Sequence, residues 1–201
     1  MKSIDRSLFN KSKRFKKTAD KLLADSKLVK ILDRFGRVSF HGGYALDLLM
    51  NGDIDIYVVG KSFTKDKVLE IFDTIVKLTT FNSYWLADYK KFTHKRGIFP
   101  SAYYIGLKTR IKDEKWKIDI WFLTPKELKK LKRLDIDKSN ITQQQKLTIL
   151  EFKVWRNKHN PKISGHHIYK AVLENNIKTT TGLKEFIKTK YPKIWRKELG
   201  Q

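Results

Sequence analysis

The sequence predicts an α/β (α+β) chain: a short mixed β-sheet of four or five strands with helices packed on one side, followed by a helical C-terminal part. Three observations carry this reading. Residues 53–59 alternate Ile54, Ile56 and Val58 with Asp53, Asp55 and Tyr57, the period of a strand with one face in a core. Residues 102–111 and 115–123 alternate in the same way around Lys112-Asp113-Glu114, which makes a hairpin. The order helix–strand–helix–strand–helix–hairpin is that of elements layered on one sheet.

Taken in order, residues 1–17 are basic and polar, anchored by Leu8, Phe9 and Phe15. Thr18 or Asp20 is expected to cap a helix running to about Phe35, with Leu22, Leu23, Leu28, Ile31, Leu32 and Phe35 as its apolar stripe and Gly36 just past its end. Residues 37–41 make a short strand. Gly42-Gly43 turn the chain, and Tyr44 to Leu49 read as a helix. After the strand at 53–59 and the break at Gly60-Lys61-Ser62, Leu69, Ile71, Phe72, Ile75 and Leu78 mark a helix from about Lys65 to Leu78. A strand is expected near residues 83–87 and a basic loop over 91–100. In the hairpin Tyr103, Ile105, Leu107 and Ile111 share one face, and Tyr104, Lys108 and Arg110 the other. Trp116, Ile118, Ile120 and Phe122 face the core, which leaves Asp119 projecting oppositely. Asp is depleted from strands, so a carboxylate in so apolar a run is unusual; an edge charge that blocks aggregation is one reading of it. Helices are expected at 125–133, 141–158, 165–175 and 181–189, with a soft boundary near 135–140.

The chemistry concentrates in residues 41–60. Asp53 and Asp55 project from one strand face about 6.5 Å apart at the backbone, and carboxylates so placed converge on hard cations that relieve their mutual repulsion. Gly42-Gly43 sit at a strand-to-helix turn, where backbone N–H groups approach an anion closely. A phosphate cradle beside a metal-binding carboxylate pair is what phosphoryl-type transfer requires.

This stretch resembles the signature of the polymerase-β-like nucleotidyltransferase superfamily: an apolar run, Gly-Gly or Gly-Ser, a spacer of about nine to thirteen residues, then Asp-x-Asp in a strand. Residues 44–52 fill the spacer. Gly-Gly-x-Ala-Leu-Asp followed by Asp-Ile-Asp is similar to two branches, the tRNA CCA-adding enzymes and the small antibiotic nucleotidyltransferases. Two departures stand out: the spacer has no Arg, and Gly52 precedes Asp53 where many relatives carry a polar residue. The resemblance implies a nucleotidyltransferase domain over residues 1–135, with 136–201 as a helical region that packs separately or with it. It implies metal-dependent transfer of an NMP from an NTP to an acceptor hydroxyl, with release of pyrophosphate. Asp53 and Asp55 would bind two Mg²⁺ ions (or Mn²⁺), and Asp119, the third carboxylate, the catalytic one. Gly42 and Gly43 would hold the triphosphate, with Lys61, Lys108 and Arg110 as candidate phosphate contacts.

Composition bears on the acceptor. The chain has 201 residues, 44 Lys and Arg against 21 Asp and Glu, and a formal charge of +23. That excess favours RNA, including a tRNA 3′ end, as partner, and disfavours a cationic antibiotic. A Lys-rich solvated surface set by compositional bias is the alternative source of the charge. A small-molecule acceptor and a non-catalytic RNA-binding relative stand as the other readings, the latter opposed by the presence of all three carboxylates. Cysteine is absent, which excludes disulfides and thiolate metal sites. Without an apolar leader or a run of transmembrane length, a cytoplasmic protein that does not engage membranes is expected. His166-His167 are adjacent and point apart on a helix, which does not suit a metal pair. Tyr44, Tyr57, Tyr104 and Trp121 are candidates for base stacking near the site, and Asp47 for bracing the loop or touching substrate.

Overall fold

The structure, a computed structural model, describes residues 3–91, 100–131 and 136–195. Nearly all of the basic loop expected at 91–100 lies outside the described residues. The chain divides into two compact units, one formed by Phe15–Ala45 and Asn51–Arg133, the other by Met1–Arg14, Leu46–Met50 and Leu134–Gln201.

The first helix starts earlier than the sequence suggests. α1 spans Ser3–Ser26, so Thr18 and Asp20 are interior to it rather than caps. The reason is visible in the burial: Ser12, Phe15, Ala19, Leu22, Leu23 and Ser26 are buried at helical spacing, while the lysines and arginines between them face outward. Lys27, at φ 55°, breaks the helix, and α2 (Leu28–Asp33) follows. β1 (Arg37–His41) leads into α3 (Gly42–Ala45), which is one turn only. The helix expected to reach Leu49 stops because Asp47 takes a left-handed conformation at φ 56°. Leu46, Leu48, Leu49 and Met50 are all buried, a run that a one-faced helix could not bury.

β2 (Gly52–Val59) is followed by α4 (Lys65–Val76), capped by the Thr64 hydroxyl accepting from Lys67 N–H. α4 buries Val68, Ile71 and Ile75; Leu69 lies on its outer face, against the sequence reading. β3 (Ser83–Asp88), β4 (Tyr103–Ile111) and β5 (Glu114–Leu123) complete the sheet, and α5 (Pro125–Lys130) begins with a Thr124–Glu127 capping box. The strand order is β1-β2-β5-β4-β3, with β2 and β5 parallel and every other pair antiparallel. This is the expected mixed sheet. Ile54, Ile56, Val58, Ile105, Leu107, Ile120 and Phe122 are fully buried on one face, each worth about 1.5–3 kcal/mol of transfer free energy. Phe15 packs on Trp116 and Phe63 on Phe122, which closes that face. A one-residue slip would drive the carboxylates into this core, so the apolar set fixes the register of the site.

In the second unit, α6 (Gln143–His159), α7 (Gly165–Tyr169, continuing as a π-helical stretch through Glu174), α8 (Thr180–Lys190) and α9 (Pro192–Trp195) enclose a core of Ile149, Phe152, Ile163, Ile168, Leu183 and Ile187. Leu46, Leu48 and Met50 from the spacer belong to this core. The spacer is also held by polar contacts. Lys153, 4% exposed, donates to the Leu48 carbonyl (2.6 Å) and the Tyr169 hydroxyl (2.8 Å). The Asp47 carboxylate pairs with Lys138, and its carbonyl accepts from the Ser12 hydroxyl. Asp47 therefore braces the loop. Among the described residues no helix is long and apolar enough to cross a membrane.

Candidate active site

The polar face of the sheet carries the site. Two rows run across it. Register places His41, Asp55, Asp119, Gly106 and Trp85 in one row, and Asp53, Lys117, Lys108 and Ser83 in the next. Parallel pairing of β2 with β5 is what sets Asp55 directly beside Asp119. One oxygen from each of Asp53, Asp55 and Asp119 lies within 4.8 Å of the others, and all three residues are half-buried. Asp119 stands on the carboxylate side of the sheet, between β2 and β4, and not on an edge strand.

Two neighbours organise the trio. Lys117 Nζ lies 2.7 Å from Asp119 Oδ2 and 3.3 Å from Asp53 Oδ1. Burial works to lower its pKa, but the charges of Asp53 and Asp119 outweigh this and hold it above the ordinary lysine value. Tyr104 donates its hydroxyl to Asp119 Oδ1 at 2.7 Å. Burial, then the Asp119 charge, pushes the Tyr104 phenol well above its usual range, so it remains a donor. Gly106 makes that bond possible, because a Cβ there would overlap the Tyr104 hydroxyl. Gly42 adopts φ 62°, and a Cβ on it would collide with the Asp55 carboxylate. The glycine turn thus packs directly on the carboxylates. Gly52, the departure from the polar residue of relatives, has a packing cause: a Cβ there would strike the Trp116 indole.

These residues fit a divalent cation. Three carboxylates converge, and the Lys117 ammonium bridges two of them, Asp53 and Asp119, so the cluster is built of oxygen donors, the ligand set of hard cations. Asp53 Oδ1 is buried and accepts no hydrogen bond among the described residues, since the Lys117 contact is an ion pair without hydrogen-bond alignment.

The other candidates separate. Gly43 sits with Gly42 in the single turn of α3, so the anion cradle rests on backbone N–H groups with little helix dipole behind them. Lys61 follows the far end of β2, six residues or about 20 Å of extended chain from Asp55, and is not brought to the carboxylates. Lys108 and Arg110 do share the carboxylate face, but on the β4 flank, across β2 and β5 from the glycine turn. With Lys115, Asn51, Asn82 and Asp53 they line an open pocket of about 500 Å³. Tyr44 is buried and donates to Asp20 (2.7 Å), and Trp121 is buried against Tyr89 and Tyr104, so neither offers a free face to a base. Tyr57 stacks on His41 at 3.9 Å between ring centroids. His167 accepts the Ser164 N–H at Nδ1, a helix-capping role.

Sequence reasoning passed over Lys117 and Trp85. Lys117 shares the face of Asp119 by simple alternation, but its position opposite Asp53 depends on the β2–β5 pairing. Trp85 is 64% exposed, and nothing in the sequence sets it apart from the neighbouring aromatics.

No family model matches the sequence, and no curated protein matches it. Among solved structures the chain is similar to the non-canonical poly(A) polymerase complex GLD-2–GLD-3, with a TM-score of 0.48 and 11% identity over 96% of this chain. It spans 64% of that chain's length.

Proposed function

We propose that the protein is a metal-dependent nucleotidyltransferase that moves an NMP from an NTP to an acceptor hydroxyl and releases pyrophosphate. The observation that carries this is the convergence of Asp53, Asp55 and Asp119 beside a glycine turn that packs on Asp55. In this reading the three carboxylates hold two Mg²⁺ or Mn²⁺ ions. When bound, such ions neutralise the triphosphate and acidify the attacking hydroxyl. Gly42 and Gly43 present backbone N–H groups to the triphosphate. Tyr104 orients Asp119 through its hydroxyl. The acceptor oxygen bonds to the α-phosphorus as the bond to pyrophosphate breaks, and the hydroxyl proton passes to Asp119 and then to water. The catalytic machinery falls within residues 1–135.

The acceptor is RNA, with a tRNA 3′ end as one instance. The support is the charge of +23 and the four cations, Lys108, Arg110, Lys115 and Lys117, that line the pocket beside Asp53. The same lining repels a cationic antibiotic.

Incubation with each labelled NTP, Mg²⁺ or Mn²⁺ and total RNA tests the reading. Transfer of label to RNA is expected from the wild type, and at least a thousandfold less, about 4 kcal/mol of transition-state stabilisation, from Asp53→Asn/Asp55→Asn. Full metal-dependent transfer by that double variant would end the proposal.

A further inference from the structure

The face of β3 and β4 next to the carboxylates has two features that folding does not explain. The first is charge. Lys108 stands directly opposite Lys117, and Arg110 directly opposite Lys115, so the hairpin carries two facing pairs of like charges. Such pairs destabilise a sheet. Lys117 is occupied by Asp53 and Asp119, whereas Lys108, Arg110 and Lys115 are exposed and make no ion pair among the described residues. The second is Trp85. It is 64% exposed on the same face, in the row of Asp119, with Gly106 between them in register and the Tyr104 hydroxyl over that glycine. Two strand spacings put Trp85 about 10 Å from Asp119.

We propose that this face seats the acceptor strand: single-stranded RNA whose base stacks on Trp85 and whose adjacent phosphates bind Lys108, Arg110 and Lys115, directing the 3′ hydroxyl toward Asp119. This rests on the nucleotidyltransferase reading and names its acceptor site. Cations in facing pairs become favourable once phosphates lie between them, and a solvent-exposed indole beside them gives a sequence-tolerant platform. The open pocket of about 500 Å³ admits one nucleotide unit rather than a duplex.

The test is anisotropy of a 5′-fluorescein, 12-nucleotide mixed-sequence RNA with a free 3′ hydroxyl, titrated with the full chain in EDTA, so that binding is read apart from catalysis. Trp85→Ala is expected to weaken binding about five- to a hundredfold, with Trp85→Phe restoring part of the loss. Lys108→Gln/Arg110→Gln is expected to weaken binding and to reduce the slope of log affinity against log salt by about 1.4. Lys61→Gln/Lys65→Gln, the same charge change at the other end of β2, is the control. Equal losses in the two double variants, or unchanged binding by Trp85→Ala, would overturn the seat, as would an RNA that fails to bind while inorganic phosphate protects the pocket. The two readings fail separately. Localised binding without NMP transfer sinks the enzyme and leaves the seat. Transfer whose acceptor KM is unmoved in Trp85→Ala and Lys108→Gln/Arg110→Gln sinks the seat alone.

Discussion

Lys117 shows how one side chain decides the state of the whole centre. Its ammonium spans Asp53 and Asp119 and supplies counter-charge to two of the three convergent carboxylates. On the proposed reading a divalent ion and Lys117 would compete for the same oxygens. Replacing it with Met leaves the trio uncompensated in the metal-free protein and removes the competitor. We expect Lys117→Met to bind Mn²⁺ roughly fivefold more tightly by calorimetry, the ~1 kcal/mol of a partly exposed ion pair. The metal-free Tm should fall, and saturating Mn²⁺ should restore it. Unchanged Mn²⁺ affinity would mean that the ammonium turns aside without cost. At this scale the sequence was partly legible. Gly42, Asp53, Asp55 and Asp119 stand out by residue type and alternation. Lys117, Tyr104 and Gly106 do not, because their roles arise from cross-strand neighbours that only the strand order reveals.

Elements were read well where one face is plainly apolar and poorly where charge masks it. The strands carry clean alternation, and β1, β2, β4 and β5 fall within a residue of expectation. The start of α1 is hidden in the sequence because its first half is dense in Lys and Arg, which mask the Ser12, Phe15, Ala19 stripe. In the spacer Leu46, Leu48, Leu49 and Met50 have the composition of a helix, although all four are buried in a single turn-and-loop segment. α7 yields a pH test. Burial first, then the charges of His166 and Lys170, lower the pKa of His167 to about 4. Its Nδ1 accepts from Ser164 N–H and its ring meets Tyr191 edge-on, arrangements that suit the neutral imidazole. The unfolded chain takes up its proton near pH 6.5 and the folded one near 4, so the folded state binds fewer protons between them. This contribution to stability is complete above about pH 6.5 and drains away as pH falls toward 4. In chemical denaturation the wild type should lose stability across that window more steeply than His167→Gln, whose side chain can still accept the cap bond. Parallel pH profiles would refute the assignment.

For the chain as a whole, the excess of positive charge dominates. A formal +23 on 201 residues means that compaction brings like charges together, a cost that added salt screens and a polyanion removes. The two effects run in opposite directions for stability and for binding. Between 50 and 200 mM NaCl the Tm of the free protein is expected to rise, because the Debye length falls from about 14 to 7 Å and self-repulsion weakens. Over the same range, affinity for single-stranded RNA should fall several hundredfold if six phosphates are neutralised, at about 0.7 in log–log slope for each. Scanning fluorimetry and anisotropy on one salt series measure both. If the charge reflects only compositional bias, the lysines lie scattered and solvated. The Tm will then still climb with salt, but the RNA slope will stay near that of one or two contacts. A steep slope that Trp85→Ala leaves intact and Lys108→Gln/Arg110→Gln makes shallower would place the phosphates on the β3–β4 face and separate selection for binding from drift in composition.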